Sequence, residues 1–194
     1  MLASIHPLGE RARNRRWGVT VGAYLLGSTL AAALLGAALG GAGDLLPLTP
    51  GATAALLVAA GALALAADLG AFGLPTVHRQ VDKDWLDRYR GWVVGLGFGF
   101  QLGLGVVTIV NTAAVYLALA LALLSGSVAA GAVIGTTFGL VRALVILVVA
   151  PVRRPDQLRI ALRRLYGWRT LSQRAGIAVQ ALFLVAAGAV AIVQ

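Results

Sequence analysis

Residues 91–124 read GWVVGLGFGFQLGLGVVTIVNTAAVYLALALALL, a run of 34 residues without a charged side chain. A membrane-spanning helix needs about 20 apolar residues, and a straight helix of this length would extend about 51 Å, far beyond a hydrocarbon core of about 30 Å. The run could therefore form one long or broken span, or two short ones. The number of times that it crosses decides the topology of the chain.

The rest of the chain is nearly as apolar as this run. Of 194 residues, 59% are hydrophobic and 12% are charged, whereas about 25% of the residues of a soluble domain are charged. Because so few charges cannot cover a water-exposed surface, we predict an all-α polytopic membrane helical bundle. Four more runs are long enough for one span each, at residues 17–41, 51–74, 127–150 and 171–193. The first of them is too long for a signal peptide, so we expect it to be retained.

The positions of the basic residues decide how often the long run crosses. The 16 Lys and Arg residues fall almost entirely into three clusters, in residues 11–16, 79–90 and 153–174. A single crossing by residues 91–124 puts all three clusters on one side, as the positive-inside rule requires, whereas two crossings would not. We therefore predict five spans within a single transmembrane domain, residues 17–194. The leader, residues 1–16, then lies in the cytoplasm and the C-terminus lies outside.

Two connecting segments combine both charge signs with apolar residues on one helical face. They are residues 75–90 and 155–165, and we predict that they form interfacial helices. The net charge of +9 is then explained by the cytoplasmic loops, which face anionic lipid, and it indicates no nucleic-acid partner. The preference for arginine over lysine and the many alanines favour a bacterial cytoplasmic (inner) membrane.

The sequence offers little for catalysis or for metal binding. It contains no cysteine and only two histidines, which excludes thiolate metal sites and thiol redox chemistry. No nucleophile–base pair, carboxylate pair or metal-ligand cluster falls within a span. We therefore predict no catalytic residue, no metal, no cofactor and no enzymatic activity.

Polar side chains inside the spans are the candidates for function, because buried charges are costly in a membrane. Asp68 and Arg142 could pair across a small polar cavity or gate it; alternatively, Arg142 reaches the interface and Asp68 caps a helix end. Repeated glycines and the Asn-Thr step favour a broken helix in the long run, and a packed, tilted helix is the alternative. The predicted substrate path comprises Asp68, Gln101, Thr108, Asn111, Thr112 and Arg142.

A stripe of small residues follows one face of the fourth span. Gly131, Gly135 and Gly139 recur at intervals of four residues, a spacing that brings them onto one helical face. Small residues of this kind allow two helix backbones to approach closely in a membrane. We therefore predict a helix-packing contact along this stripe.

The two halves of the chain also resemble one another. Residues 17–36 can be laid over residues 127–146, and in the predicted topology these segments run in opposite directions, which indicates a degenerate inverted repeat. Residues 91–144 are similar to the second half of the cytochrome c biogenesis and thiol-disulfide interchange transmembrane family (CcdA/DsbD type). In that family a glycine-rich broken helix carries a Pro-Cys motif and is followed by a short outer turn and a Gly-rich helix. Residues 17–74 resemble the later two helices of its first repeat.

The resemblance implies a scaffold without the family's redox chemistry. The place of the second Pro-Cys motif is taken by residues 108–112, TIVNT, and the first helix of the first repeat is reduced to residues 4–7. The chain would thus be a cysteine-free, partly truncated relative. We expect either a small-solute or ion transporter or a non-transporting membrane scaffold or assembly subunit. The latter would form a homodimer or bind a membrane protein partner.

Overall fold

The computed structural model describes residues 5–75, 88–105, 110 and 112–193. Within these residues the chain is helical and contains no strand, which confirms the predicted all-α class. The α-helices are α1 (Pro7–Ala12), α2 (Trp17–Asp44), α3 (Pro50–Asp68), α4 (Gly91–Gly103), α5 (Ala114–Leu124), α6 (Val128–Leu144), α7 (Pro155–Gly167) and α8 (Arg169–Val193). A 3₁₀ segment, Val145–Val149, continues α6.

Within the described residues, four helices are long and apolar enough to cross a membrane. They are α2, α3, α6 together with its 3₁₀ extension, and α8; α5 is equally apolar but has only 11 residues. Large apolar side chains are exposed on them, for instance Leu26 and Leu34 on α2 and Val179 and Leu182 on α8. Exposed apolar faces of this kind are compatible with a lipid surrounding. The orientation of the helices in a membrane stays a prediction, and so do the five crossings.

The run of residues 91–124 forms two helices rather than one. Helix α4 ends at Gly103, and Gly105 adopts a φ of +73°, which favours glycine and turns the chain away from the helix axis. Helix α5 begins at Ala114. Of the residues between the two helices, 106–109 and 111 lie outside the described part of the chain. The predicted interfacial helix of residues 75–90 also lies mostly outside it, whereas residues 155–165 fall within α7.

The chain divides into two compact units. Unit 1 comprises Met1–Ala32, His78–Thr108 and Thr136–Arg169, and unit 2 comprises Ala33–Val77, Ile109–Gly135 and Thr170–Gln194. Helices α2 and α6 contribute residues to both units.

Unit 1 is built on close contacts between helix backbones. A methyl group at Gly95, Gly99 or Gly103 of α4 would overlap a backbone carbonyl oxygen of α2, that of Thr20, Tyr24 or Ser28 respectively. Gly139 of α6 lies against the same part of α2, where the Ser28 hydroxyl donates a hydrogen bond of 2.9 Å to the Gly139 carbonyl oxygen. Larger side chains fill the adjacent core, among them Val94, Phe98, Ile146 and Val149. The three helices therefore pack at the distance that only small residues allow.

In unit 2, glycines allow the same kind of close backbone contact along the later part of α2. Gly36 and Gly131 exclude a methyl group from one another's position, and Gly40 and Gly43 approach the carbonyl oxygens of Ser127 and Leu123. A second core joins α3 to α5 through Ala64, Ala67, Ala113 and Leu117, with Phe183 of α8 packed against it.

Gly95→Ala is expected to destabilise the protein by about 1–3 kcal/mol, because the added methyl group forces α4 away from the α2 backbone. The matched control is Gly22→Ala on α2, since nothing lies within 4 Å of a methyl group at that position. The free energy of unfolding, measured by SDS titration in mixed micelles, compares the two variants. Equal stability of the two variants would contradict the close approach at Gly95.

Candidate functional site

Asp68, the last residue of α3, is the centre of a polar cluster in unit 2. Its Oδ2 accepts hydrogen bonds from Thr112 Oγ1 (2.5 Å) and Gln180 Nε2 (2.7 Å), and its Oδ1 accepts one from the Ala113 backbone N–H (2.7 Å). Hydrogen bonds to a carboxylate are roughly twice as strong as those between neutral groups. This half-buried side chain therefore ties the end of α3 to the start of α5 and to α8.

The end of α3 is shaped by a glycine. Gly70 has a φ of +91°, and its N–H donates to the Ala67 carbonyl while the Ala71 N–H donates to the Ala66 carbonyl. This pair of bonds is the Schellman motif, which requires a left-handed residue just past the helix. Gly70 thus ends α3 so that Asp68 occupies its last turn.

The start of α5 depends on Asp68 because α5 lacks a capping side chain at its own N-cap residue, Ala113. The Asp68 carboxylate accepts the Ala113 N–H, and Thr112 Oγ1 accepts the Ala114 N–H at 3.3 Å. The partial positive charge of a helix N-terminus also favours a carboxylate there. Asp68 is thus a cap supplied by another helix.

Gln180 of α8 is the functional candidate that the sequence analysis missed. Its side chain is 2% exposed, and its Nε2 donates to Asp68, but its Oε1 is buried without a hydrogen-bond partner. The only signal in the sequence is one amide within an otherwise apolar stretch of α8, and such an amide is compatible with simple packing.

Arg142 of α6 belongs to a separate cluster in unit 1. Its Nη1 donates to the carbonyl oxygens of Leu102 and Gly105, both at 3.3 Å, and its guanidinium lies 5.5 Å from the centroid of the Phe138 ring. These carbonyls lie at the C-terminal end of α4, where a cation is favoured by the helix dipole. Arg142 therefore stabilises the C-terminus of α4, just as Asp68 stabilises the N-terminus of α5.

The predicted substrate-path residues are thus distributed over both units. Asp68 and Thr112 contact each other, Arg142 has the partners just described, and Gln101 is half-buried on α4. Thr108 and Asn111 lie outside the described residues. A shared path along these six residues stays a prediction. Of the predicted packing glycines, Gly131 and Gly139 lie against α2, and Gly135 lies beside Gly36.

A buried carboxylate, Glu10, also escaped the sequence analysis because the leader resembles a solvated basic segment. Glu10 is fully buried, and its Oε2 accepts a hydrogen bond of 2.5 Å from Thr20 Oγ1, while Oε1 has no partner. Gly91 makes room for this pair: a methyl group there would lie 2.5 Å from Thr20 Oγ1 and 3.0 Å from Glu10 Oε2. The leader is therefore anchored to unit 1.

His6 begins the short helix of the leader. Its Nδ1 accepts a hydrogen bond of 3.1 Å from the Gly9 N–H. Burial, and then the nearby charge of Arg13, hold the pKa of His6 below its ordinary value, although Glu10 opposes this shift. The lowered pKa favours the neutral ring that the cap requires. Over the described residues, no group of three His, Cys, Asp or Glu side chains could hold a metal ion.

Asp68→Ala should lower the free energy of unfolding, because each buried donor left without an acceptor costs about 1–3 kcal/mol. Gln180→Leu should lower it less, and the double variant should lose less than the sum of the two single losses, since both remove the same hydrogen bond. SDS unfolding of the four proteins measures this coupling. Asp44→Ala, which removes an exposed carboxylate at the end of α2, is the control. Strictly additive losses would show that the bond contributes nothing.

Comparison with known proteins identifies relatives of one name. The chain is 34% identical over 150 residues to the methylamine utilization protein MauF of Methylophilus methylotrophus and 36% identical over 149 residues to MauF of Paracoccus versutus, covering 74% of this chain in each case. It is 32% identical over 168 residues, 84% of this chain, to MauF of Methylorubrum extorquens. These matches cover 52%, 54% and 56% of the respective relatives, so the chain spans about half the length of the curated relatives that it matches. No family model matches the chain. No solved structure matches it either.

These relatives overturn the resemblance stated from the sequence. The chain is not a cysteine-free member of the cytochrome c biogenesis and thiol-disulfide interchange family. The prediction of a transporter function on that scaffold is therefore also wrong. Nothing among the relatives supports the alternative of a scaffold or assembly subunit. The physical reason is that segments of Ala, Gly, Leu and Val match one another in pattern without common descent. The chain is thus similar, along 74% of its length, to the bacterial methylamine utilization protein MauF.

Proposed function

We propose that this chain is a membrane-embedded protein of methylamine utilization. The observation that carries the proposal is the identity of 34% to a MauF protein over 74% of the chain. The four long apolar helices support the placement in a membrane. Because the relatives are bacterial, we place the protein in the bacterial cytoplasmic membrane.

The geometry supports a role without catalysis by the chain itself. The carboxylate of Asp68 already accepts three hydrogen bonds, and the guanidinium of Arg142 is directed at backbone carbonyls. A catalytic acid or base exchanges a proton with a substrate. Both groups instead stabilise helix ends, so their first contribution is to the fold.

The proposed topology places the basic clusters in the cytoplasm. Helix α7 has one face packed on the core of unit 1 through Leu158 and Ala161, while Arg159, Arg163 and Arg164 are exposed. Exposed arginines next to an apolar face are typical of helices at a membrane surface rich in anionic lipid. With α7 inside, the loop between α2 and α3 lies outside.

Single cysteines test this topology cleanly, because the chain contains none. In intact cells a membrane-impermeant maleimide should label Leu45→Cys, whose position is 83% exposed in the loop after α2. Gly167→Cys, at the end of α7, should be labelled only after the membrane is permeabilised. Labelling of both positions from the same side would contradict the proposed topology.

Deletion of the gene in its source organism should abolish or slow growth when methylamine is the nitrogen source and leave growth on ammonium unchanged. The intact gene should restore growth. Asp68→Ala should fail to restore it, because the junction of α3, α5 and α8 is lost, whereas Asp44→Ala should succeed. Immunoblots of membrane fractions establish that each variant is present. Normal growth of the deletion strain on methylamine would refute the proposed function.

A further inference from the structure

The Asp68 cluster contains an acceptor that the fold does not use. The Gln180 side chain is 2% exposed, and its Oε1 is buried without a partner. Its Nε2 must point to Asp68, since only the NH₂ group can donate to a carboxylate. The amide is therefore fixed in orientation, and rotating it would place two oxygens against each other.

The orphan oxygen lies next to a negative charge. Because Oε1 and Nε2 belong to one amide and Nε2 is 2.7 Å from Asp68 Oδ2, the Gln180 oxygen lies only a few ångströms from the Asp68 carboxylate. The three donors to Asp68 are all neutral: a hydroxyl, a backbone N–H and an amide. No basic side chain pairs with Asp68 within the described residues. The N-terminus of α5 offsets part of the charge but does not reach Gln180 Oε1.

These groups decide which kind of ligand could bind here. Both unused positions are acceptors, the amide oxygen and the remaining lone-pair capacity of the carboxylate. An anion is therefore excluded, and an electron-pair acceptor or a hydrogen-bond donor is required. A half-buried carboxylate without a basic partner, next to a buried amide oxygen, favours a cation over a neutral donor.

We propose that Asp68 and Gln180 bind a small monovalent cation, which Gln180 Oε1 and Asp68 contact directly. Two sources share this chemistry, a sodium ion and a primary ammonium such as methylammonium. The ammonium source rests on the proposed function in methylamine utilization, whereas the sodium source does not. Failure of the growth experiment would therefore leave the sodium arm standing.

Isothermal titration calorimetry of the full chain in detergent tests the proposal, with sodium chloride, methylammonium chloride and choline chloride compared at equal ionic strength. We expect heat of binding, and a raised Tm, with sodium or methylammonium but not with the bulky choline ion. A response to sodium alone assigns the site to a metal cation, and a response to methylammonium alone assigns it to the amine. No response to either beyond that of choline would overturn the proposal, and water would then be the expected occupant of the site.

Asp68→Asn separates cation binding from folding. The new amide can donate to the Gln180 oxygen once the Gln180 side chain rotates, which keeps a hydrogen bond between the two residues while the charge is lost. We expect cation binding to weaken by about tenfold or more. The Tm in choline should also fall, because the hydrogen bonds at position 68 lose their charge assistance, so binding is measured below the Tm of the variant. Gln180→Leu should also lose binding, whereas the exposed control residues, in Asp44→Asn and Gln173→Leu, should keep it. Binding that survives Asp68→Asn would overturn the assignment.

Discussion

Backbone groups that are released where a helix ends cannot turn to water when their surroundings are hydrocarbon. The long apolar run of this protein contains such an end at Gly103 and a new beginning at Ala114. At the end of α4, the Leu102 and Gly105 carbonyl oxygens accept hydrogen bonds from Arg142. At the start of α5, the Ala113 N–H donates a hydrogen bond to Asp68. The cation lies at a helix C-terminus and the carboxylate at a helix N-terminus, each where the helix dipole favours it. Arg142 and Asp68 therefore stabilise the two helix ends, the C-terminus of α4 and the N-terminus of α5.

This constraint explains why the neighbouring helices must approach so closely. Arg142 and Asp68 reach the broken segment from other helices, α6 and α3, and hydrogen bonds of about 3 Å leave no room for intervening side chains. In unit 1, Gly139 of α6 and Gly103 of α4 both lie against Ser28 of α2. In unit 2, Ala64 and Ala67 of α3 pack with Ala113, the N-cap residue of α5, and with Leu117 of α5. Small residues thus set the distances over which the polar side chains act.

How far the sequence predicts this structure depends on the physical signal. The length of an apolar run is a strong signal. It predicts the helices α2, α3, α6 and α8, because a span must be long and uncharged. Glycine periodicity predicts a packing face that includes Gly131, Gly135 and Gly139. No sequence pattern shows which groups two polar side chains contact. A pair of Asp68 with Arg142 is therefore one interpretation of the sequence, whereas the contacts described for each are with other groups. Gln180 and Glu10 were missed because one polar residue in a helix or a leader looks the same whether it is buried or solvated. The family resemblance failed because apolar segments of few residue types share patterns without sharing ancestry.

The satisfied and the unsatisfied polar groups have different explanations. Arg142 and Asp68 meet backbone groups that would otherwise be unpaired, so the fold accounts for Arg142 and for part of the acceptor capacity of Asp68. Gln180 is different: its Nε2 contributes one hydrogen bond, but its Oε1 costs free energy as a buried acceptor without a donor. A buried amide oxygen beside a carboxylate that lacks a basic neighbour is the feature that the proposed cation accounts for. The second buried orphan, Glu10 Oε1, does not meet this criterion. The Cδ of Arg15 borders Gly91 next to Glu10, so this carboxylate has a basic side chain among its neighbours.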